Sequence, residues 1–400
     1  MTTARGSVPD VLVAFLRLGC TSFGGPVAHL GFFRAELVQR RRWLDEATFA
    51  DIVALCQFLP GPASSQTALA IGLLRAGLPG GLAAWLGFVL PSALLMTGFA
   101  AGVSLVGDVA HAAWLHGLKI VAVAVVAQAV WGMGRTLCPD RLRASMAVAA
   151  AITSLALPSA AGQVGAIVAA GAIGWLTLPA PAVVADGALH FGLRRRTAVA
   201  ALVAFFVLLA GLPLLATATG DHSLALLDRF YRAGSLVFGG GHVVLPLLQQ
   251  AVVPPGWIAP DAFLAGYGAA QALPGPLFSF AAYLGAAMAP APSGLAGAVL
   301  CLLAIYLPSL LLLLGVLPFW DGLRRRASVR SALGGVNASV VGLLLAALYT
   351  PVWTSAITGP GDVAIGLAAF LALVFWRAPP WLVVVLGSAA AAALDWAHAP

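Results

Sequence analysis

The stretch Gln57-Phe58-Leu59-Pro60-Gly61-Pro62-Ala63-Ser64-Ser65-Gln66 lies inside an apolar segment, 52–74, that carries no charged residue. The segment is long enough to cross a bilayer, but it cannot form one unbroken helix, because neither proline has the N–H group that an interior helical position donates. A helix arriving through Phe58 therefore ends here, and a new helix begins after Pro62 with free N–H groups pointing into the break. Ser64, Ser65 and Gln66 are predicted to gather at that positive helix end, which suits an anion.

The same pattern returns 214 residues later, again without charge, as Gln271-Ala272-Leu273-Pro274-Gly275-Pro276-Leu277-Phe278-Ser279. Two interrupted hydrophobic segments at corresponding places in the two halves of a chain point to the binding site of a transporter. A simple packing kink is the alternative explanation for either break alone. The repetition favours the binding site.

The composition is that of a membrane protein. Of the 400 residues 61% are hydrophobic and only 9% are charged, whereas about 25% of the residues of soluble domains are charged. The 59 residues of 262–320 contain no Asp, Glu, Lys or Arg. Because about 20 apolar residues span a bilayer, this stretch holds two or more crossings. The lipid bilayer is therefore one expected partner of the chain.

The net charge of +7 comes mainly from arginines that are grouped in short clusters between apolar runs. This distribution indicates cytoplasmic loops and argues against nucleic acid binding. The four cysteines are scattered singly, without the spacing of metal ligands, and are interpreted as small buried hydrophobic residues. We therefore predict neither a metal site nor a cofactor.

An internal duplication explains a series of identities that recur in order along the chain. With an offset of 215, Phe15, Arg17, Gly19, Phe23, Gly24, Gly25 and Leu30 align with Phe230, Arg232, Gly234, Phe238, Gly239, Gly240 and Leu245. Such ordered self-similarity is the signature of a repeat. We predict an N-terminal transporter repeat at 1–197, a connecting segment at 198–229 and a C-terminal transporter repeat at 230–400.

Basic residues predict that the two repeats are inserted in opposite directions. The loops that carry the arginines of 34–42 and 135–143 correspond to loops without Arg or Lys in the second half. The loop that carries the arginines of 324–330 corresponds to a loop without basic residues in the first half. Under the positive-inside rule, such alternation indicates inverted repeats. The predicted fold is an all-α polytopic membrane protein with helices broken at the FGG and LPGP motifs. Two points stay open: whether each LPGP segment crosses or dips in and returns, and the side on which 194–196 lies.

Glycines, arginines and titratable side chains near the breaks are the candidates for chemistry. Consecutive glycines can expose their N–H groups as an anion nest, although glycine is also common in helix packing. Arg17 and Arg232, each six residues before its Phe-Gly-Gly run, offer a planar fork that suits an oxyanion, or else snorkel to the interface. His29, Asp51 and His242 are candidates for proton coupling, with a neutral hydrogen-bonded histidine as the alternative.

The motifs SFGGP at 22–26, AHLGFFRAELVQRRRW at 28–43, LCQFLPGPASSQ at 55–66, FGGGH at 238–242 and QALPGP at 271–276 resemble the chromate ion transporter (CHR) family in its long, two-repeat form. The resemblance extends over nearly the whole chain. It implies a secondary transporter that exports chromate, an inorganic oxyanion with sulfate as its structural mimic, across a bacterial inner membrane. The second half has FGGG in place of FGGP and lacks the double serine, which suggests unequal roles in binding.

The residues expected to bind the substrate lie at or near the broken segments of both repeats. They are Arg17, Phe23, Gly24, Gly25, Pro26, Gln57, Pro60, Gly61, Pro62, Ser64, Ser65, Gln66, Arg232, Gly239, Gly240, Gly241, Gln271, Pro274, Gly275, Pro276 and Ser279.

Other functions are compatible with the same sequence features. An anion channel and a transporter for sulfate or another oxyanion fit the same motifs, and a homodimer is not excluded. A membrane-embedded transferase is disfavoured, because no HExxH, GxSxG or P-loop motif is present. A cation pathway is disfavoured because few acidic residues lie in the apolar interior.

Overall fold

The computed structural model describes residues 6–106, 113–179, 193–238 and 241–398, and every regular element in these ranges is helical. The first half contains α1 (Val8–Thr21), α2 (Gly25–Phe33), α3 (Glu46–Phe58), α4 (Ala63–Val106), α5 (Ala113–Leu137), α6 (Arg141–Ala156) and α7 (Ala160–Thr177). A connecting helix, α8 (Arg195–Thr219), follows. The second half contains α9 (His222–Leu236), α10 (Val244–Val252), α11 (Pro260–Ala272), α12 (Phe280–Ala287), α13 (Gly294–Val316), α14 (Trp320–Arg324), α15 (Ala327–Ala347), α16 (Thr354–Ala356), α17 (Pro360–Val374) and α18 (Pro380–His398).

Helix α4 consists of two arms. Non-helical backbone angles at Ala76 and Gly77, with φ of 65° at the glycine, separate a short arm (63–75) from a long arm (78–106). At 1.5 Å per residue the long arm measures about 43 Å, which is enough to cross a bilayer. The short arm measures only about 20 Å.

The FGG segment of the first repeat is the tip of a helical hairpin. Helices α1 and α2 approach each other through the rings of Phe15 and Phe33, which are in edge-to-face contact with centroids 5.5 Å apart. Near the start of the hairpin, the N–H group of Gly6 donates to the carbonyl oxygen of Arg75 at 3.1 Å. The chain therefore enters and returns to the same end of the helix bundle.

The first LPGP segment forms a second hairpin, made of α3 and the short arm of α4. The guanidinium of Arg75, at the end of the short arm, lies 5.3 Å from the ring centroid of Trp43, which precedes α3. Both ends of this hairpin thus lie at the same end of the bundle. The first LPGP segment therefore does not cross from one end of the bundle to the other, but dips in and returns.

The second repeat contains the equivalent pair of hairpins. In the first of them, the guanidinium of Arg229 on α9 lies 4.3 Å from the ring centroid of Trp257, which follows α10. In the second, the hydroxyl of Tyr283 on α12 donates to the carbonyl oxygen of Ala262 on α11 at 2.8 Å. LPGP is therefore a hairpin tip in both halves, FGG is one in the first half, and the second FGG run lies partly outside the described residues.

Among the described residues, five helices are long and apolar enough to cross a membrane, and they lie in α4, α5, α8, α13 and 327–356. Three of them, the long arm of α4, α5 and α8, separate the start of the first repeat from that of the second. Because each of these helices is long enough to change side, whereas each hairpin and the packed pair of α6 and α7 return, the two repeats are expected to start from opposite faces.

The same count resolves the position of Arg194–Arg196. The beginning of α8 packs on Gly315 at the C-terminal end of α13, through Ala198 and Leu202. This end of the bundle also precedes 324–330, so all four arginine clusters, at 34–42, 135–143, 194–196 and 324–330, belong to one face. We call it the basic face. The positive-inside rule predicts that this face is cytoplasmic.

Reciprocal hydrogen bonds join the two repeats. The N–H group of Gly61 donates to the carbonyl oxygen of Val237 at 2.6 Å, and that of Gly275 donates to Ser22 at 2.8 Å. Gly61 is equivalent to Gly275, and Ser22 to Val237. The second contact is therefore the first one with the two repeats exchanged. Such an exchange is the pattern that a two-fold axis produces. The LPGP tip of each repeat therefore docks beside Val237 or Ser22, at the end of the first helix of the other repeat.

The opposed insertion predicts a labelling pattern. In a variant lacking the four native cysteines, single cysteines replace Gln39, Arg196 or Ala259, all of which are exposed. A membrane-impermeant maleimide added to intact cells should modify only the cysteine at 259, because the other two positions lie on the basic face. Labelling of all three from outside would contradict the inverted arrangement.

Candidate functional site

A large chamber of about 590 Å³ lies between the broken segments of the first repeat, α5 and the residues that precede α10. Its lining includes both broken segments of the first repeat. The lining residues are Gly24, Gly25, Pro26, Leu30, Cys56, Gln57, Leu59, Gly61, Ala63, Gln128, Ala129, Gly132, Met133, Thr136, Leu137, Gly241, His242 and Asn337. This set contains neither a carboxylate nor an arginine or lysine. No acidic side chain in the chamber would repel an anion, and any positive potential there comes from backbone dipoles.

A small chamber of about 50 Å³ lies next to the large one. Its lining residues are Gly24, Gly25, Pro26, Val125, Gln128, His242, Ala270, Gln271, Leu273, Gly275, Leu277 and Pro380. Three of them, Gln271, Leu273 and Gly275, are the equivalents at 214 residues of Gln57, Leu59 and Gly61 in the large chamber. Each chamber thus contains the LPGP tip of one repeat.

The two chambers share one wall, formed by Gly24, Gly25, Pro26, Gln128 and His242. We call these five residues the shared wall. Along α5, the small chamber is lined at 125 and 128, whereas the large chamber is lined from 128 to 137. Because α5 ends at the basic face, the large chamber lies toward that face and the small chamber lies farther from it.

The start of α2 forms one side of the shared wall. Gly24 and Gly25 have φ angles of 95° and 81°, which favour glycine, and no side chain caps the helix. A Cβ atom at Gly25 would meet nothing within 4 Å, so the backbone is open at this position. The first N–H groups of α2 therefore present their positive dipole end to both chambers.

A second helix start faces the large chamber. Gly61 and Ala63, at the beginning of the short arm of α4, line it. By contrast, side-chain oxygens cap the starts of five other helices; the capping residues are Ser7, Asp45, Asp140, Ser159 and Asp221. Two helix N-termini directed at one chamber that lacks acidic side chains form a favourable anion site.

His242 is the only one of the three proton-coupling candidates that lines the chambers. Its Nδ1 atom lies 2.8 Å from the hydroxyl of Tyr267. His29 is buried, with Nδ1 3.3 Å from the hydroxyl of Ser64 and its ring against Phe88. Asp51 is also buried and accepts a 3.5 Å hydrogen bond from the indole of Trp320. The structure therefore places His29 and Asp51 outside both chambers.

The hydroxyls after the first LPGP motif are part of the packing. Ser65 lies 3.4 Å from the hydroxyl of Tyr306, and Gln66 donates to the carbonyl oxygen of Pro60 at 2.8 Å. Ser279 lies 2.6 Å from Ser92. Ser65, Gln66 and Pro62 line a separate apolar cavity of about 300 Å³ between α4 and α13. None of these side chains, nor Ser64, lines either chamber.

The two candidate arginines lie outside the chambers as well. Arg17 is on the exposed side of α1, next to the exposed Leu16 and Cys20. Arg232 pairs with Asp228 one helical turn earlier. Phe23, Pro274 and Pro276 do not line a chamber either, and Gly239 and Gly240 lie outside the described residues. Of the residues expected from sequence, the chambers bring together Gly24, Gly25, Pro26, Gln57, Gly61, Gly241, Gln271 and Gly275.

Arg17→Gln is expected to transport nearly as well as the wild type, because an exposed side chain outside the chambers contributes no ligand to the ion. Arg17→Lys should behave in the same way. The measurement is chromate efflux from cells, normalised to the amount of protein in the membrane. A tenfold or greater loss of transport in the Gln variant, with normal expression, would show that Arg17 contributes to substrate binding.

Sequence reasoning missed Gln128 and Asn337, which line the large chamber from α5 and α15. Each is an amide within a helix that is apolar enough to span a membrane. That contrast was a usable signal, because polar side chains in such helices usually face the bundle interior. Gln128 and Asn337 belong to neither the FGG nor the LPGP motif, but to helices that pack against the tips.

The comparisons with known proteins agree with this architecture. A family model described as "Chromate transporter" matches the chain twice, at residues 9–175 and 224–393. A "Chromate transport protein" of Pseudomonas aeruginosa is 30% identical over 403 residues, which cover 95% of this chain and 90% of the relative. A "Probable chromate transport protein" of Synechococcus elongatus is 27% identical, covering 86% and 84%. A "Chromate transport protein" of Cupriavidus metallidurans is 26% identical, covering 87% and 85%. No solved structure matches the chain significantly.

Proposed function

Because the chain belongs to the chromate transporter family, we propose that it is a secondary transporter that exports chromate from the cytoplasm across a bacterial inner membrane. The observation that carries this proposal is the pair of helix N-termini directed into a chamber without carboxylates. The large chamber lies toward the basic face, which is the face expected in the cytoplasm. Chromate would therefore enter the chamber from inside the cell.

The chamber has the donors that a tetrahedral dianion needs. Backbone N–H groups at the starts of α2 and of the short arm of α4 provide fixed dipoles. The side-chain amides of Gln57, Gln128 and Asn337 line the same space. Hydrogen bonds to a charged partner are stronger than those between neutral groups, which offsets part of the cost of removing the ion from water. Arginine is not required for binding in this arrangement.

The shared wall favours a transporter over a continuous pore. It lies between a large chamber and a small one, which fits an ion pathway that is interrupted where the two repeats meet. Inverted repeats that rock around a central site provide alternating access in other transporters. The inverted hairpins of this chain fit that mode of action.

Sulfate is a second candidate substrate, because it is a tetrahedral oxyanion that the same donors would bind. The deciding experiment is uptake of labelled chromate into sealed vesicles that contain the purified protein, in competition with sulfate, molybdate and chloride. We expect chromate to compete with labelled chromate at lower concentration than sulfate, and chloride to have no effect. Stronger competition by sulfate would make sulfate the substrate, and absence of saturable uptake would refute the transporter.

A further inference from the structure

We propose that the small chamber is a second oxyanion station, which receives the ion from the large chamber across the shared wall and releases it toward the face opposite the basic face. This inference rests on the proposed function. It gives the second repeat a role in binding, although that repeat lacks the double serine at 64–65 of the first.

The first argument is the equivalence of the two chambers. Gln57 lies in the last turn of α3 and Gln271 in the last turn of α11, each two residues before a Leu-Pro-Gly turn. Reciprocal hydrogen bonds hold the two turns in the same way against the opposite repeat. An arrangement that presents an amide and a glycine turn to an ion in one repeat therefore exists in the other as well.

The second argument is an unsatisfied donor. The Nε2 atom of Gln271 is buried and lies near the Tyr267 hydroxyl, without a well-formed hydrogen bond to it or to any other described residue. A buried donor without a partner is costly, and such groups in native proteins call for an explanation. Gln271 lines the small chamber. An anion in that chamber would accept the missing hydrogen bond.

The size of the small chamber fits the ligand. A buried water occupies at least about 10–15 Å³ in this measure of volume, so a chamber of about 50 Å³ has room for about four water-sized oxygens. A tetrahedral oxyanion has four oxygens. The start of α2 borders the chamber and directs its positive end toward it. A dehydrated oxyanion therefore fits.

The third argument is the difference in exposure between the two glutamines. Gln57 is exposed in the large chamber, whereas Gln271 is partly buried in the small one. Gln128 of the shared wall donates to the carbonyl oxygen of Leu373 at 3.3 Å, which ties α5 to the end of α17. The structure thus represents the conformation open toward the basic face. Rocking of the repeats would enlarge the small chamber and close the large one.

The test compares Gln271→Leu with Gln57→Leu in vesicles of defined orientation, with labelled chromate presented at one face at a time. Gln271→Leu should raise the half-saturating concentration about tenfold to a hundredfold for chromate presented at the face opposite the basic face, as expected for a lost hydrogen bond to a charged ligand. It should change the value for the basic face less than twofold. Gln57→Leu should show the reverse pattern.

The control is Gln163→Leu, which removes a buried amide of α7 that lines neither chamber. It should leave both half-saturating concentrations unchanged. If Gln271→Leu does not fold, Gln271→Asn keeps the amide but draws it back by one methylene, and the same one-sided effect is expected. An equal effect on both faces, or none, overturns the second station. Failure of the proposed function is distinct, because the wild type would then show no saturable chromate transport from either face.

Discussion

Gly61→Ala and Gly275→Ala are each expected to abolish chromate transport and to reduce the amount of folded protein. Gly61 has a φ of 125° and Gly275 a φ of 98°, conformations that cost a residue with a side chain about 1–3 kcal/mol. A Cβ atom at Gly61 would also overlap the hydroxyl of Ser309, and one at Gly275 would lie 2.8 Å from that of Ser92. Overpacking of this kind costs roughly another 1–3 kcal/mol.

The two substitutions act on equivalent contacts. Ser92 and Ser309 both follow a Leu-Pro pair, in the long arm of α4 and in α13 respectively. Each LPGP tip therefore packs against the proline-containing helix of the other repeat, and displacing either tip disturbs the shared wall. The measurements are chromate efflux per amount of membrane protein and the fraction of protein that elutes as a single species in detergent.

Gly98→Ala is the matched control. Gly98 lies in the long arm of α4, and a Cβ atom there would meet nothing within 4 Å. Alanine in a helix interior is about 0.5–1 kcal/mol more favourable than glycine, so this variant should fold and transport as the wild type does. Normal transport by Gly61→Ala would show that the tip is less closely packed than these contacts indicate.

Gln128→Glu is expected to reduce chromate transport to below a hundredth of the wild type while the protein remains folded. Gln128 lines both chambers, and glutamate has nearly the same shape, so the substitution adds a negative charge and removes the hydrogen bond to the carbonyl oxygen of Leu373. Two like unit charges 4 Å apart repel by about 4 kcal/mol at an effective dielectric constant of about 20, and chromate carries two charges. The ion would not pass the shared wall.

Gln128→Leu separates the effect of charge from that of the amide. It removes the hydrogen bond to Leu373 and one donor to the ion, but it adds no repulsion, so we expect a loss of about tenfold to a hundredfold. Gln39→Glu, on the exposed π-helical turn at 34–40, should transport normally. Equal activity of the Glu and Leu variants would mean that the ion does not pass beside Gln128.

Local chemistry in the sequence was enough to locate the breaks and the symmetry. Prolines and glycines interrupt helices wherever they occur, and spacing along the chain is sufficient to reveal a repeat. The positions of Gly24, Gly25, Gln57, Gly61 and Gln271 beside a chamber followed from the same signals. The FGG and LPGP motifs, the helical fold and the family therefore required no coordinates.

Orientation was a different problem, because hydropathy measures the length of an apolar run and not its path. The run 11–33 is long enough to cross a bilayer, but contacts such as that between Phe15 and Phe33 fold it back on itself. Once it is known to return, the number of crossings before the second repeat becomes odd and the position of Arg194–Arg196 follows.

The direction of each side chain was also beyond the sequence. Ser64, Ser65, Gln66 and Arg17 carry suitable chemistry at suitable places in the chain, but the rotation of a helix about its axis depends on the packing of the whole bundle. In this bundle Ser64 is turned toward His29 and Ser65 toward Tyr306, while Arg17 is on the exposed side of α1. Gln128 is brought to the shared wall because α5 of the first repeat packs against helices α11, α15, α17 and α18 of the second. These contacts join residues too distant in sequence for any local pattern to encode.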